Sequence, residues 1–232
     1  MRFLCLHGMG TNSEIFETQS AAIRYGLGDE HTYEFLEATI TAPMAPGIET
    51  LVSPNTECFT WTDDSSRESY VTSYKKALMD LDEFLAEYGP FDAVMAFSNG
   101  AALAASLIIQ KLQNCPQEQD ASPVFKCAVF FSGGIPVLVQ GESFQLIDRD
   151  TSSELIHIPT ANIWGAKDSL YPDFGPVVKT ICRADLAESY IHQGGHEIPG
   201  SKDEQAVASS VKLIKRTIER ARNAEWKTRS SS

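Results

Sequence analysis

Six short runs of mostly apolar residues, at positions 2–6, 33–39, 91–97, 125–131, 160–164 and 185–192, recur through this 232-residue chain. Runs of this length are strand-sized, and near-continuous apolar character marks strands buried on both faces of a parallel sheet. The intervals between them carry helical patterns. Tyr70, Tyr74, Ala77, Leu78, Leu81, Leu85 and Tyr88 recur at three and four, one face of a 3.6-residue period. Ser65 and Glu68 are placed to box the start of that helix, and Gly89-Pro90 to stop it. Near the end of the chain Ser201 and Glu204 form a second expected capping box, followed by the stripe Val207, Val211, Ile214 and Ile218. Strand and helix in alternation, joined by right-handed crossovers, give a three-layer α/β sandwich with a mostly parallel central sheet. Ligands of such folds sit beyond the carboxyl ends of the strands. Residues 1–225 are expected to form a single domain, followed by a flexible polar tail at 226–232.

Charge and cysteine content narrow the chemistry. Nineteen Lys and Arg against 31 Asp and Glu give a net charge of −12, which repels phosphate backbones and argues against nucleic-acid binding. The segment from Ser201 onward is locally basic, with Lys212, Lys215, Arg216, Arg220 and Arg222 on the last predicted helix. Five dispersed cysteines without a CxxC pair signal neither a disulfide framework nor a zinc site, and fit reduced thiols in a cytoplasmic protein. No apolar stretch approaches membrane-span length, so no membrane association is expected. There is no GxxxxGK[ST] loop, HExxH helix or GxGxxG turn, and the expectation is a protein without metal or cofactor.

The third run ends in MAFSNGAALAAS, in which Ser98 follows a buried strand and precedes an alanine-rich helix. This strand, turn and helix match the G-x-S-x-G nucleophile elbow, with Ala96 at the first small position and Gly100 at the second. In isolation the serine is equally readable as a helix cap. A serine nucleophile needs a histidine to take its proton and an acid to orient that histidine. His196, in the glycine-flanked QGGHEIP segment after the last strand, is the stronger candidate base, and His192 at the strand end competes with it. Asp168, after the fifth strand, is the expected acid, with Asp173 the alternative inside the next predicted helix. The order Ser98, Asp168, His196 is that of α/β-hydrolases. The main-chain N–H groups of Asn99 and of Met9, in LHGMGTNS after the first strand, are candidate oxyanion donors, and His7 is expected to pin that loop.

LCLHGMGTNSEIF, FSNGAALA, NIWGAKDSLYP and QGGHEIP together resemble the fungal serine hydrolase family, which includes relatives of the ovarian-cancer-associated hydrolase and lovastatin-type polyketide-releasing thioesterases. The resemblance spans residue 3 to about residue 200 and implies an α/β-hydrolase fold. It also implies Ser98 as nucleophile, Asp168 and His196 as its partners, and Met9 and Asn99 as oxyanion donors. Relatives usually carry glycine where this chain has Ala96. The reaction expected is cleavage of a carboxylic ester or thioester through an acyl-enzyme on Ser98. The substrate is a small molecule or an acyl chain tethered to a carrier protein, with polyketide release as one case. The alternatives are a lyase, cyclase or transacylase on the same triad, or a retired hydrolase that only binds its ligand. Phe59, Trp61, Ile135, Tyr171, Phe174 and Ile198 are candidate lining residues of an apolar acyl pocket. The interval between the runs at 125–131 and 160–164 is short for a lid that encloses a lipid chain.

Overall fold

The computed structural model describes residues 1–49, 52–114, 123–141, 143–147 and 153–230. In chain order the elements are β1 (Arg2–Leu6), α1 (Ser13–Gln19), α2 (Ala21–Leu27), β2 (Thr32–Leu36), β3 (Ile40–Ala42), β4 (Cys58–Thr60), α3 (Arg67–Tyr88) and β5 (Ala93–Phe97). They continue with α4 (Asn99–Asn114), β6 (Cys127–Phe131), β7 (Val137–Gln140), β8 (Ser143–Leu146), β9 (Thr160–Gly165), α5 (Pro176–Thr180), β10 (Ala187–His192) and α6 (Glu204–Ser230). Six strands form one sheet in the order β10-β9-β6-β5-β1-β2, with every neighbouring pair parallel. This is the α/β-hydrolase arrangement of a parallel sheet between two helical layers. All six predicted runs are strands of this sheet.

The reason the central runs are apolar is visible in how each strand divides its side chains. Leu4 and Leu6 of β1 enter one core with Tyr74, Leu78 and Leu81 of α3 and Leu103 and Leu107 of α4. Phe3 and Cys5 point the other way, to Phe16, Ile23 and Leu27 of α1 and α2 and to Val211, Ile214 and Ile218 of α6. Strands β5 and β6 split their residues in the same alternation. Burial on both faces therefore selects apolar residues along the central strands β1, β5 and β6, whereas the edge strands β2 and β10 are part-exposed and carry Glu34 and Glu188.

Several boundaries differ from the sequence reading. Strand β2 ends at Leu36, not residue 39, because its partner β1 ends at Leu6 and the Ala38 N–H donates to the His7 ring instead of continuing the ladder. The cap of α3 is Ser66, whose side chain accepts from the Ser69 N–H, while the Ser65 N–H turns back to Asp63. Asp203, not Ser201, caps α6 by accepting from the Ala206 N–H. Asp173 lies in the turn before α5 rather than inside a helix. The polar tail expected at 226–232 falls where side chains lie outside the described residues, as does Cys115. The interval between β6 and β9 holds the antiparallel β7–β8 hairpin, which packs Phe144 edge-on against Tyr70 and Tyr74 of α3. Among the described residues no helix is long and apolar enough to cross a membrane.

One buried polar chain joins that hairpin to the helical layer. The Tyr74 hydroxyl donates to Ser106 Oγ (2.9 Å), which also accepts the Val137 N–H (2.8 Å) and itself donates to the Ala102 carbonyl (2.9 Å). Ser106 thus uses its full hydrogen-bonding capacity at a buried position. Replacing it strands two buried donors. Ser106→Ala is expected to destabilise the protein by roughly 1–3 kcal/mol, seen as a lower urea midpoint with an unchanged denaturant slope. A midpoint equal to that of the parent would show that these bonds are not needed to hold the hairpin on the helices.

Candidate active site

The elbow places Ser98 at a backbone conformation that side chains seldom adopt, with φ of 53°. Its strain is held from several directions. The Ser98 N–H donates to the Phe131 carbonyl (3.0 Å), and the Ser98 carbonyl accepts from the N–H groups of Ala101, Ala102 and Gly134. Gly100 allows the turn to close on β1, since a Cβ there would lie 2.4 Å from the His7 carbonyl oxygen and 2.6 Å from that of Leu6. Ala96 is fully buried beneath the turn, so a methyl group fits where relatives of the motif carry glycine.

Two loops bring the other candidates to Ser98. They are joined to each other by main-chain bonds, Ala166 N–H to the His192 carbonyl (2.7 Å) and Lys167 N–H to the Gly194 carbonyl (2.9 Å). Gly165 permits this contact, because a Cβ there would sit 2.1 Å from the Gly195 carbonyl oxygen. Within this frame Asp168 Oδ2 accepts from His196 Nδ1 at 2.6 Å, and the Ser98 hydroxyl donates to His196 Nε2 at 2.9 Å. An ionised carboxylate only accepts, so the proton of the neutral imidazole is on Nδ1 and Nε2 is free to act as a base. The other Asp168 oxygen accepts the Tyr171 N–H (2.9 Å), which fixes the carboxylate in its plane. The Asp168 side chain is 3% exposed and that of His196 12%.

His192 takes a different part. Its Nδ1 accepts the Gly194 N–H (3.1 Å), bracing the turn that carries His196, and its Nε2 is buried with no partner among the described residues. Burial holds this imidazole below its ordinary pKa, which keeps it neutral.

The loop after β1 is fixed around His7, which is fully buried. The His7 carbonyl accepts from Trp61 Nε1 (2.8 Å), the Ala38 N–H donates to Nε2 (3.1 Å), and Nδ1 lies 2.8 Å from the Gly8 carbonyl oxygen. Thr11 Oγ1 donates to that same carbonyl (2.7 Å). These bonds leave the Met9 N–H, like the Asn99 N–H at the start of α4, without a partner among the described residues. Both candidate oxyanion donors are thus main-chain groups with unused hydrogens beside the elbow.

The six expected lining residues are used unevenly. Tyr171 and Phe174 stack on each other with centroids 4.6 Å apart and approach the His196 ring at 4.7 and 5.8 Å, while Phe97 covers another side at 5.0 Å. Trp61 is built into the His7 loop rather than into a pocket wall. Phe59 ties its main chain to Gly10 and Thr11. Ile198 is buried against the α6 core, and Ile135 is half-buried next to Gly134. The bracing roles of Trp61, Thr11 and Gly165 left no local signal in the sequence, because each depends on a partner remote along the chain. No group of three or more His, Cys, Asp or Glu side chains gathers as a metal site among the described residues.

The chain is similar in sequence and in fold to known proteins. The chain is 39% identical over 207 residues to the esterase FPY3 of Fusarium mangiferae, covering 86% of this chain and 88% of that protein. It is 29% identical over 200 residues to the hydrolase phiM of Fungal sp. (strain ATCC 74256), covering 85% and 86%. Among solved structures, a carboxylesterase from Mesorhizobium loti superposes with a TM-score of 0.53 at 20% identity, over 90% of this chain and 86% of that one, a likeness of fold. The family model described as serine hydrolase (FSH1) matches residues 1–208, and the chain accordingly belongs to the FSH1 family of serine hydrolases.

Proposed function

We propose that this enzyme cleaves carboxylic esters or thioesters through an acyl-enzyme on Ser98, and that the acyl group it releases includes chains delivered on a carrier protein. The observation that carries the proposal is the unbroken line of hydrogen bonds from Ser98 Oγ through His196 to Asp168. Ser98 Oγ attacks the carbonyl carbon as its proton passes to His196 Nε2. The carbonyl π electrons move to oxygen, and the N–H groups of Met9 and Asn99 receive the negative charge. Collapse of this intermediate breaks the bond to the alcohol or thiol, which leaves with the proton from Nε2. Water then enters, gives a proton to the same nitrogen, attacks the acyl carbon and frees the acid while Ser98 regains its hydrogen. Asp168 stays ionised throughout and stabilises the imidazolium formed in each half-reaction. The aromatic rings of Phe97, Tyr171 and Phe174 limit water around His196, which strengthens these charge interactions. The family and the names of the relatives support the ester reading, and the apolar surroundings of the base suit an acyl substrate.

Two measurements test it. A fluorophosphonate probe is expected to add one phosphonyl group to the parent and none to Ser98→Ala, whose turnover of p-nitrophenyl butyrate falls on the order of a million-fold. Labelling that persists in Ser98→Ala would place the nucleophile elsewhere. The orienting acid is tested separately, where Asp168→Asn loses roughly four orders of magnitude in kcat with its fold intact by circular dichroism. In the same assay His196→Ala is expected to be nearly inactive and His192→Ala to stay within about tenfold of the parent. Near-parental kcat in Asp168→Asn would reassign the acid, and a dead His192→Ala with active His196→Ala would exchange the two histidines.

A further inference from the structure

A groove of about 1450 Å³ runs from the edge of His196 along the surface between α2 and the first four turns of α6. One wall at its near end is formed by residues 46–48, and the Ala45 N–H of that segment donates to Gly10 in the loop that carries Met9 (2.8 Å). The other wall is residues 197–203, continuous with the loop that carries His196. The groove therefore begins at the loop that carries His196 and faces a segment bonded to the loop that carries Met9. Its lining includes His196 but not Ser98. That asymmetry has a chemical meaning, because the group that leaves must receive its proton from His196 Nε2 and so must depart on the histidine side.

The middle of the groove is shallow and apolar. Gly26 lets α2 approach α6, since a Cβ there would lie 2.6 Å from Val211 Cγ2, and Ala22, Val207 and Ala208 continue the floor. Further along, Lys212 and Lys215 line the groove, both exposed and neither in an ion pair among the described residues. The rest of the basic cluster on this helix is occupied, Arg216 and Arg220 by Glu188 and Arg222 by Glu30. Of the acids along the groove, Asp203 caps α6 and Glu197 accepts the Gly195 N–H near the His196 end. Glu204 lies at that same end and Glu219 one turn beyond Lys215. Lys212 and Lys215 are eight and eleven residues past Glu204, a climb of roughly 12 and 16 Å at the α-helical rise.

We propose that this groove seats the leaving group of the substrate, an elongated alcohol or thiol with an apolar stem and an anionic end held by Lys212 and Lys215. The inference rests on the esterase reading above and specifies the chemistry of the departing half of the substrate. Two unpaired lysines on a chain whose net charge is −12 are a local exception that an anion would find by charge complementarity.

The test fixes the acyl group as butyrate and varies what leaves. Release of butyrate is compared for ethyl butyrate, for the butyrate ester of 12-hydroxydodecanoate, for the methyl ester of that compound, and for the same stem ending in phosphate. At low ionic strength the two anionic substrates are expected to exceed the neutral long-chain one by about tenfold in kcat/KM. Carboxylate and phosphate arms together tell which anion the lysines favour. The advantage should vanish in the Lys212→Glu, Lys215→Glu double variant and in about 0.5 M salt, while ethyl butyrate is cleaved equally by parent and variant. Ala208→Phe, which fills the floor, should slow every long substrate several-fold and spare ethyl butyrate. No anionic preference in the parent, a preference that survives the double variant, or equal slowing of ethyl butyrate would overturn the groove assignment while leaving the esterase reading intact. A parent that cleaves none of the four and resists fluorophosphonate would remove both.

Discussion

The close approach of Gly100 to the carbonyl oxygens of Leu6 and His7 is the contact on which the site depends. It sets the start of α4 against the end of β1 with no room for a side chain, and in doing so brings Ser98 and the His7–Thr11 loop side by side. Ser98 is forced up into a positive-φ turn at the end of β5, and the His7–Thr11 loop is brought beside it. Hydrogen bonds to the Ser98 main chain from β6 and from Gly134 absorb the strain that such a turn stores. A larger residue at position 100 would move Ser98 and the His7–Thr11 loop apart together.

The other half of the site is positioned by main chain more than by side chains. The loops after β9 and β10 are joined by the Ala166 and Lys167 N–H groups, so the separation of Asp168 from His196 follows from the pairing of two neighbouring strands. Side chains then make small corrections, with Tyr171 N–H holding one carboxylate oxygen and His192 holding the turn at Gly194. The bond between Asp168 and His196 is short, at 2.6 Å, and is largely shielded from solvent. His192 meets Gly194 instead of Ser98, and burial holds its imidazole below the ordinary pKa.

On the surface, three arginines of α6 are neutralised locally. Glu188 on the edge strand β10 holds two arginines of α6, which pins the helix to the sheet edge. The basic residues of α6 are therefore not one open patch, and among its described side chains Lys212 and Lys215, which face the groove, are the ones outside an ion pair. Charge in the sequence is a sum, whereas recognition depends on which charges remain uncompensated after folding.

The sequence by itself determined the six strands and their order along the chain, the elbow at Ser98 and the candidates Asp168 and His196. These are legible because each rests on local physics: a strand buried on both faces must be apolar at every position, and a tight turn must be built from small residues. The exact helix caps slipped by one or two residues, since Ser65, Ser66, Ser201 and Asp203 are all able caps and only the path of the chain chooses among them. Tertiary structure alone decided that Trp61 braces the His7 loop instead of lining a pocket, that Gly165 makes room for the His196 loop, and that Asp168 rather than Asp173 meets the histidine. It also decided that a groove opens on the histidine side of the site and which lysines face it. Each of these is a contact between segments far apart in sequence, and no residue carries in its own neighbourhood a mark of the partner that folding will bring to it.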